Sequence, residues 1–211
     1  MLTLHFNFTR MNDETSIFSQ NEIEFATVVA QTCLFLEHAD ETDKNEFIDK
    51  ALKLLPLLYL KTLLLDVDST NEDENLEKFV SEEDYLFVKN QIETLLGEDD
   101  SYLEVFHPDM PFSDTPIAVF ISEDLADIYQ ELKDFAANFQ TGDPEIMTAA
   151  MTNCAASFAD HWGQKLLNAL RALHSIRFNF DGRDYSPDDH SHPFDNNKLD
   201  RDSFLRFESE E

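Results

Sequence analysis

Four carboxylates, Asp124, Asp127, Glu131 and Asp134, recur at spacings of three and four residues in the stretch Ile121-Ser-Glu-Asp-Leu-Ala-Asp-Ile-Tyr-Gln-Glu-Leu-Lys-Asp-Phe135. At about 100° per residue they line one edge of a helix within a sector of about 80°. The adjoining apolar face is made by Leu125, Ile128, Leu132, Phe135 and Phe139. Acids this close repel one another, and the repulsion calls for cations. A divalent metal is one answer. Mg²⁺ accepts a few carboxylates together with water and substrate phosphates, and the stripe would then serve hydrolysis of a phosphorylated small molecule. Basic side chains across a helical bundle are the other answer, with Lys50, Lys53, Lys61, Lys165 and Arg171 as candidates.

The other chemistry-bearing residues form weaker patterns. Glu131-x-x-Asp134 resembles half of the paired carboxylate motif of all-helical nucleotide pyrophosphohydrolases. The nearest upstream match for the other half, Glu74-x-x-Glu77, falls in an acidic connector. Glu104-x-x-His107 is a single copy of a di-iron pattern that needs two, and Pro108 directly after it points to a loop. His161 and His174 are thirteen residues apart on one expected helix, roughly 220° round, so they do not share a ligand. His161 falls on the polar side of that helix. His174 falls at the edge of the apolar face, as a structural histidine. His190 and His192, among Asp188, Asp189 and Asp195, have metal-ligand chemistry, but ligands on a loose tail bind weakly. Cys33 lies between apolar positions and Cys154 in a run of small residues, so both read as core thiols. No serine elbow, phosphate loop or dinucleotide fingerprint is present. No catalytic residue and no cofactor are assigned.

Five helical segments position these residues. Ser19-Gln-Asn-Glu22 is a capping box that opens a helix to about Glu37, and Asp43-Lys-Asn-Glu46 opens a second from Lys44 to about Leu65. Beyond Ala51 the second helix is apolar almost all round, as expected for a helix enclosed by several neighbours. Pro56 inside it is expected to kink or split it. Ser81 caps a third helix, with Asp84 at the box position and Gly97 as the stop. Pro108, Pro111 and Pro116 make the stretch 98–121 an irregular insert. Ser122 is expected to cap the fourth helix, which ends before Gly142. Asp143-Pro144 starts a fifth that runs to about His174, with Gly163 a weak point or a close contact. From Asn179 onward the chain reads as loop, with Lys198 to Phe207 a short candidate docking helix.

Composition narrows the class. The chain has 211 residues, 42% of them hydrophobic, which suits one domain with a real core. Asp and Glu number 44 against 15 Lys and Arg, a net charge of −29, which opposes condensation on nucleic acid or an anionic bilayer. Between Asp66 and Glu104 alone, 14 acids face only Lys78 and Lys89, so the charge is locally concentrated. No signal peptide is recognised, the longest apolar run is too short to span a bilayer, and Met11 is an alternative start. The expected setting is therefore cytoplasmic. Phe178, Phe180, Phe194, Phe204 and Phe207 stand out as aromatics in a weakly structured acidic tail, suited to docking on a partner.

These features predict an all-α protein: a single helical bundle of five to six helices, with a proline-bearing irregular insert and an extended acidic C-terminal tail. The expected divisions are an extension at 1–18, a bundle at 19–177 and a tail at 178–211. The expected function is a non-enzymatic interaction or regulatory module that meets a protein with a basic surface. A metal-dependent hydrolase using Asp124, Asp127, Glu131 and Asp134 is the alternative. The oligomeric state is open.

Four stretches carry a resemblance. They are Lys53-Leu-Leu-Pro-Leu-Leu-Tyr-Leu-Lys61, Ser81-Glu-Glu-Asp-Tyr85, Ile121 to Phe135 as quoted above, and Trp162-Gly-Gln-Lys-Leu-Leu-Asn-Ala-Leu-Arg-Ala-Leu-His174. Together they resemble an uncharacterised bacterial family, domain of unknown function 5063, over roughly residues 20 to 177. The resemblance implies a small cytoplasmic helical protein and brings no activity with it.

Overall fold

The structure is a computed structural model that describes residues 18–66, 76–104 and 117–178. Six α-helices are found among the described residues: α1 (Gln20–Glu37), α2 (Lys44–Leu63), α3 (Glu82–Leu96), α4 (Ile121–Phe139), α5 (Pro144–Ser157) and α6 (Gly163–Phe178). Their starts follow from local chemistry. Ser19 and Ser81 each accept an N–H bond from the third helical residue, while Glu22 and Asp84 return a bond to the cap backbone. The Ser81 bonds hold the Asp84 carboxyl below the usual carboxylate range. Asp43 caps α2 and Asp143 caps α5, with Pro144 at the first helical position. Gly97 ends α3 with a φ of 60°, a region that favours glycine.

α4 is the hub. It packs against α1, α3, α5 and α6, while α2 lies outside it, between α1 and α6. The core runs through Phe25, Leu36, Phe47, Leu55, Ile92, Leu125, Leu132 and Trp162, all fully buried. Burial at this scale stabilises by about 25 cal/mol per Å² of apolar surface removed from water.

Four expectations are corrected. Pro56 does not split α2, which stays one helix through it, with the proline on the exposed side. α2 is also not enclosed on all sides, because Leu57, Leu60, Leu63 and Leu64 are exposed. Ser122 is not the cap of α4. Phe120 holds the cap position without a side-chain bond, and Ser122 lies inside the first turn. Residues 98–121 are not wholly irregular. A 3₁₀ turn at Gly97–Asp100 leads into β1 (Ser101–Leu103), which pairs antiparallel with β2 (Ala118–Phe120), Tyr102 opposite Val119. The extended backbone there satisfies peptide groups that the prolines deny to a helix.

The expected fifth helix is α5 and α6 joined by a π turn, Phe158–Trp162. The Gly163 N–H donates to the Phe158 carbonyl five residues back. A Cβ on Gly163 would lie 2.5 Å from that carbonyl oxygen, so Gly163 is a close contact within its own helix. No helix among the described residues is long and apolar enough to cross a membrane. The chain divides at Phe180, and the unit Asp181–Glu211 lies outside the described residues, as does the candidate docking helix at Lys198–Phe207.

Candidate functional site

Because α4 is central, its carboxylate edge faces other elements. Asp124 is 6% exposed. Its Oδ2 accepts the hydroxyl of Tyr102 from β1, and its Oδ1 lies 3.5 Å from Lys165 Nζ of α6. One turn on, Asp127 takes Lys165 Nζ at 2.6 Å on Oδ2 and the Tyr85 hydroxyl of α3 at 2.9 Å on Oδ1. A lysine thus bridges two aspartates, and a tyrosine closes each end.

The electrostatics follow this geometry. Burial pushes the Asp124 carboxyl up to about 6, with Tyr102 and Lys165 pulling the other way. Burial alone would lower Lys165, but its bond and proximity to Asp127, then to Asp124, leave it above the ordinary lysine value. Tyr102 and Tyr85 are both raised, by burial first and then by the carboxylates they donate to. A proton on either phenol is held in place.

Asp134, two turns further, does a different job. Its Oδ1 accepts the backbone N–H of Phe79 at 2.7 Å and of Val80 at 3.0 Å, and Lys78 Nζ lies 3.5 Å from Oδ2. Asn138 donates to the Glu77 carbonyl at 2.9 Å. The pair clips the chain that enters α3. Glu131 is half-buried beside a cavity of about 30 Å³, which Asp134, Lys78, Asn153 and Cys154 also line. That is room for about one water.

The four acids are therefore on one edge but not in one site. Among the described residues, no three His, Cys, Asp or Glu side chains converge in a way that can hold a metal ion. Of the five basic residues expected to answer them, only Lys165 does. Lys50 pairs with Glu46 at 2.7 Å and Lys61 pairs with Glu24, while Arg171 donates to the Leu103 carbonyl at 3.2 Å. Lys53 makes no ion pair among the described residues. Lys78, from outside the expected set, serves Asp134.

Three arrangements went unread in the sequence. Asp100 is buried and accepts both the N–H and the hydroxyl of Ser122, at 2.8 and 2.7 Å, so the cap of α4 comes from 22 residues upstream. Glu37 at the end of α1 takes Lys133 Nζ at 2.6 Å and the Tyr129 hydroxyl at 3.0 Å, with the Glu37 and Lys133 side chains only 10% and 11% exposed. Tyr129 and Lys133 are four apart on α4, and Lys133 is the lone cation in that helix, which was the available signal. Asn168 of α6 donates to Glu104 at 2.8 Å, beside the ribbon.

The remaining candidates are placed as follows. Cys33 and Cys154 are buried thiols, both pushed up by burial. His161 and His174 are exposed. For His174 this corrects the structural reading, because its ring rests 4.6 Å from that of the exposed Phe178 instead of in the core. Glu74, His107, His190, His192 and the aromatics beyond Phe178 lie outside the described residues.

Comparisons with known proteins agree with this architecture. No curated protein matches the chain. The crystal structure of protein BF1032 from Bacteroides fragilis, a target of the Northeast Structural Genomics Consortium, is similar at 41% identity and a TM-score of 0.69. The match covers 79% of this chain and 98% of that one. A family model described as a domain of unknown function matches residues 16–179, so the chain belongs to the DUF5063 family.

Proposed function

We propose that the protein is a non-enzymatic interaction module whose acidic side meets a basic protein partner. The observation that carries this reading is Lys165 set between Asp124 and Asp127. Asp124, Asp127 and Asp134 spend their charge on two lysines, on two phenols and on backbone N–H groups. Unspent acid lies elsewhere, at Glu82 and Glu83 in the first turn of α3.

On the outward side of α3, Glu82 and Glu83 are exposed together with Leu86 and Phe87, while Glu93, exposed as well, pairs with Lys89 at 3.1 Å. Phe87 borders an open groove of about 580 Å³ shared with Asp40, Asn90, Gln91, Thr94 and Leu95. The Nε2 of Gln91 is buried there without a hydrogen-bond partner. Apolar anchors with Asp40 on the groove's rim and Glu83 one helical turn before Phe87 suit a basic segment that inserts a hydrophobic side chain. Attraction across such a rim raises the association rate and weakens as salt screens it.

The test combines two measurements. Millimolar Mg²⁺ or Mn²⁺ is expected to leave the melting temperature unchanged, and a rise of several degrees would replace this reading with a metal-dependent one. A pulldown at about 50 mM and about 500 mM salt is compared with a Glu82→Gln/Glu83→Gln variant. A basic partner held by the native protein, released by salt and missed by the variant supports the reading. A lysate that yields no such protein counts against it.

A further inference from the structure

A second surface lies on α2 and has the opposite character. Lys53, Leu57, Leu60 and Leu64 recur at steps of four, three and four, so they form one stripe along the outer side of the helix. Leu57 is 41% exposed, Leu60 51% and Leu64 43%, and Leu63 beside them is 60% exposed. The other exposed large apolar residues among those described occur singly or in pairs. α2 is flanked by α1 and α6, and its third side carries this stripe.

The charge is unusual as well. Between Lys50 and Asp66 the sequence contains no acid, in a chain whose net charge is −29. Lys53 is free of ion pairs among the described residues, and Asp66 follows the leucines at the other end. Such a stripe is complementary to itself when reversed. An antiparallel pairing of two copies sets leucines on leucines and brings the Lys53 end of one against the Asp66 end of the other. This is the isologous contact of a two-fold dimer.

We propose that α2 is the seam of a homodimer, formed by two copies of this chain packing these helices antiparallel. The inference is independent of the α3 reading, because it uses a different face and a different driving force. Burial of leucine holds the seam, while the two acidic bodies repel. Added salt screens that repulsion and tightens the dimer. An anionic bilayer or an acidic peptide on the same face would instead be released by salt.

Sedimentation velocity on the full chain tests this across micromolar concentrations, at about 0.05 and about 0.5 M NaCl. The expected result is a species of twice the 24.4 kDa chain mass, with a dissociation constant several-fold lower at high salt. Leu57→Gln/Leu60→Gln is expected to be monomeric with unchanged helical circular dichroism. Lys53→Asp and Asp66→Lys are each expected to weaken the dimer, and their combination to restore it. A native monomer at every concentration overturns the proposal, as does a dimer indifferent to the leucine variant. Failure of the charge swap to rescue, or a dimer that salt dissolves, overturns it too. So does a monomer that binds anionic phospholipid vesicles through Leu57 and Leu60.

Discussion

α4 and α2 are of similar length, 19 and 20 residues, and both cross the bundle, but they hold opposite places in it. Four helices surround α4, and even Asp124 and Asp134 are buried there. Two helices flank α2, and even Leu60 and Leu63 meet solvent. Position in the packing, more than hydropathy, decides what each side chain does. A central helix must supply internal partners for its polar residues, since a buried charge without one is costly. A peripheral helix has no such constraint, and its surplus apolar surface is free to serve association.

Five substitutions probe that contrast. The largest effect is expected at Lys133→Ala, which leaves Glu37 buried without its cation and should cost about 3–5 kcal/mol by denaturant unfolding. A loss below about 1 kcal/mol would mean that water reaches Glu37, and α4 would then be less enclosed than described. On α2, Leu58→Ala should cost about 3 kcal/mol, because Leu58 is fully buried. Its neighbour Leu60→Ala should stay within about 0.5 kcal/mol in dilute solution, and equal losses at the two sites would erase the distinction between the faces of α2.

Asp124 offers a pH test. Its folded pKa of about 6 lies above the value in an unfolded chain, so the folded state binds the proton more tightly. The stability from that proton is complete below about pH 4 and is lost as pH rises through about 6, a decline of about 2–3 kcal/mol. Asp124→Asn should flatten this part of the stability profile, and an unaltered profile would assign the titration to another group. The smallest of the α4 effects is expected at Asp100→Ala. It removes a cap from outside the helix and should cost about 2 kcal/mol, read from the urea midpoint. If the midpoint does not move, Ser122 has found another partner and the start of α4 is less dependent on the ribbon.

Which features were legible in the sequence follows from how far apart the interacting residues lie. Ser19 with Glu22, Ser81 with Asp84, and Asp143 with Pro144 are local signals, and each marks a helix start in the structure. The start of α4 is not local. Asp100 supplies the cap from the turn before β1, so the serine nearest the helix was the wrong residue to choose. The carboxylate edge was visible as a pattern, but its partners come from α3 and the segment before it, α6 and β1, at sequence separations that periodicity does not address. The leucines of α2 show the converse limit. An unbroken apolar run states how much surface seeks cover and is silent about which side receives it.

The π turn between α5 and α6 has a consequence for how this chain tolerates change. A π turn holds one residue more than an α turn of the same span. Tightening Phe158–Trp162 into regular helix while keeping all its residues would swing everything beyond it by about 100°, carrying Lys165 away from Asp127. Removing one residue from the turn would let the helix straighten with Lys165 still aimed at α4. At this point in the molecule a shortened chain is the gentler alteration, and a single methyl on Gly163 the harsher one.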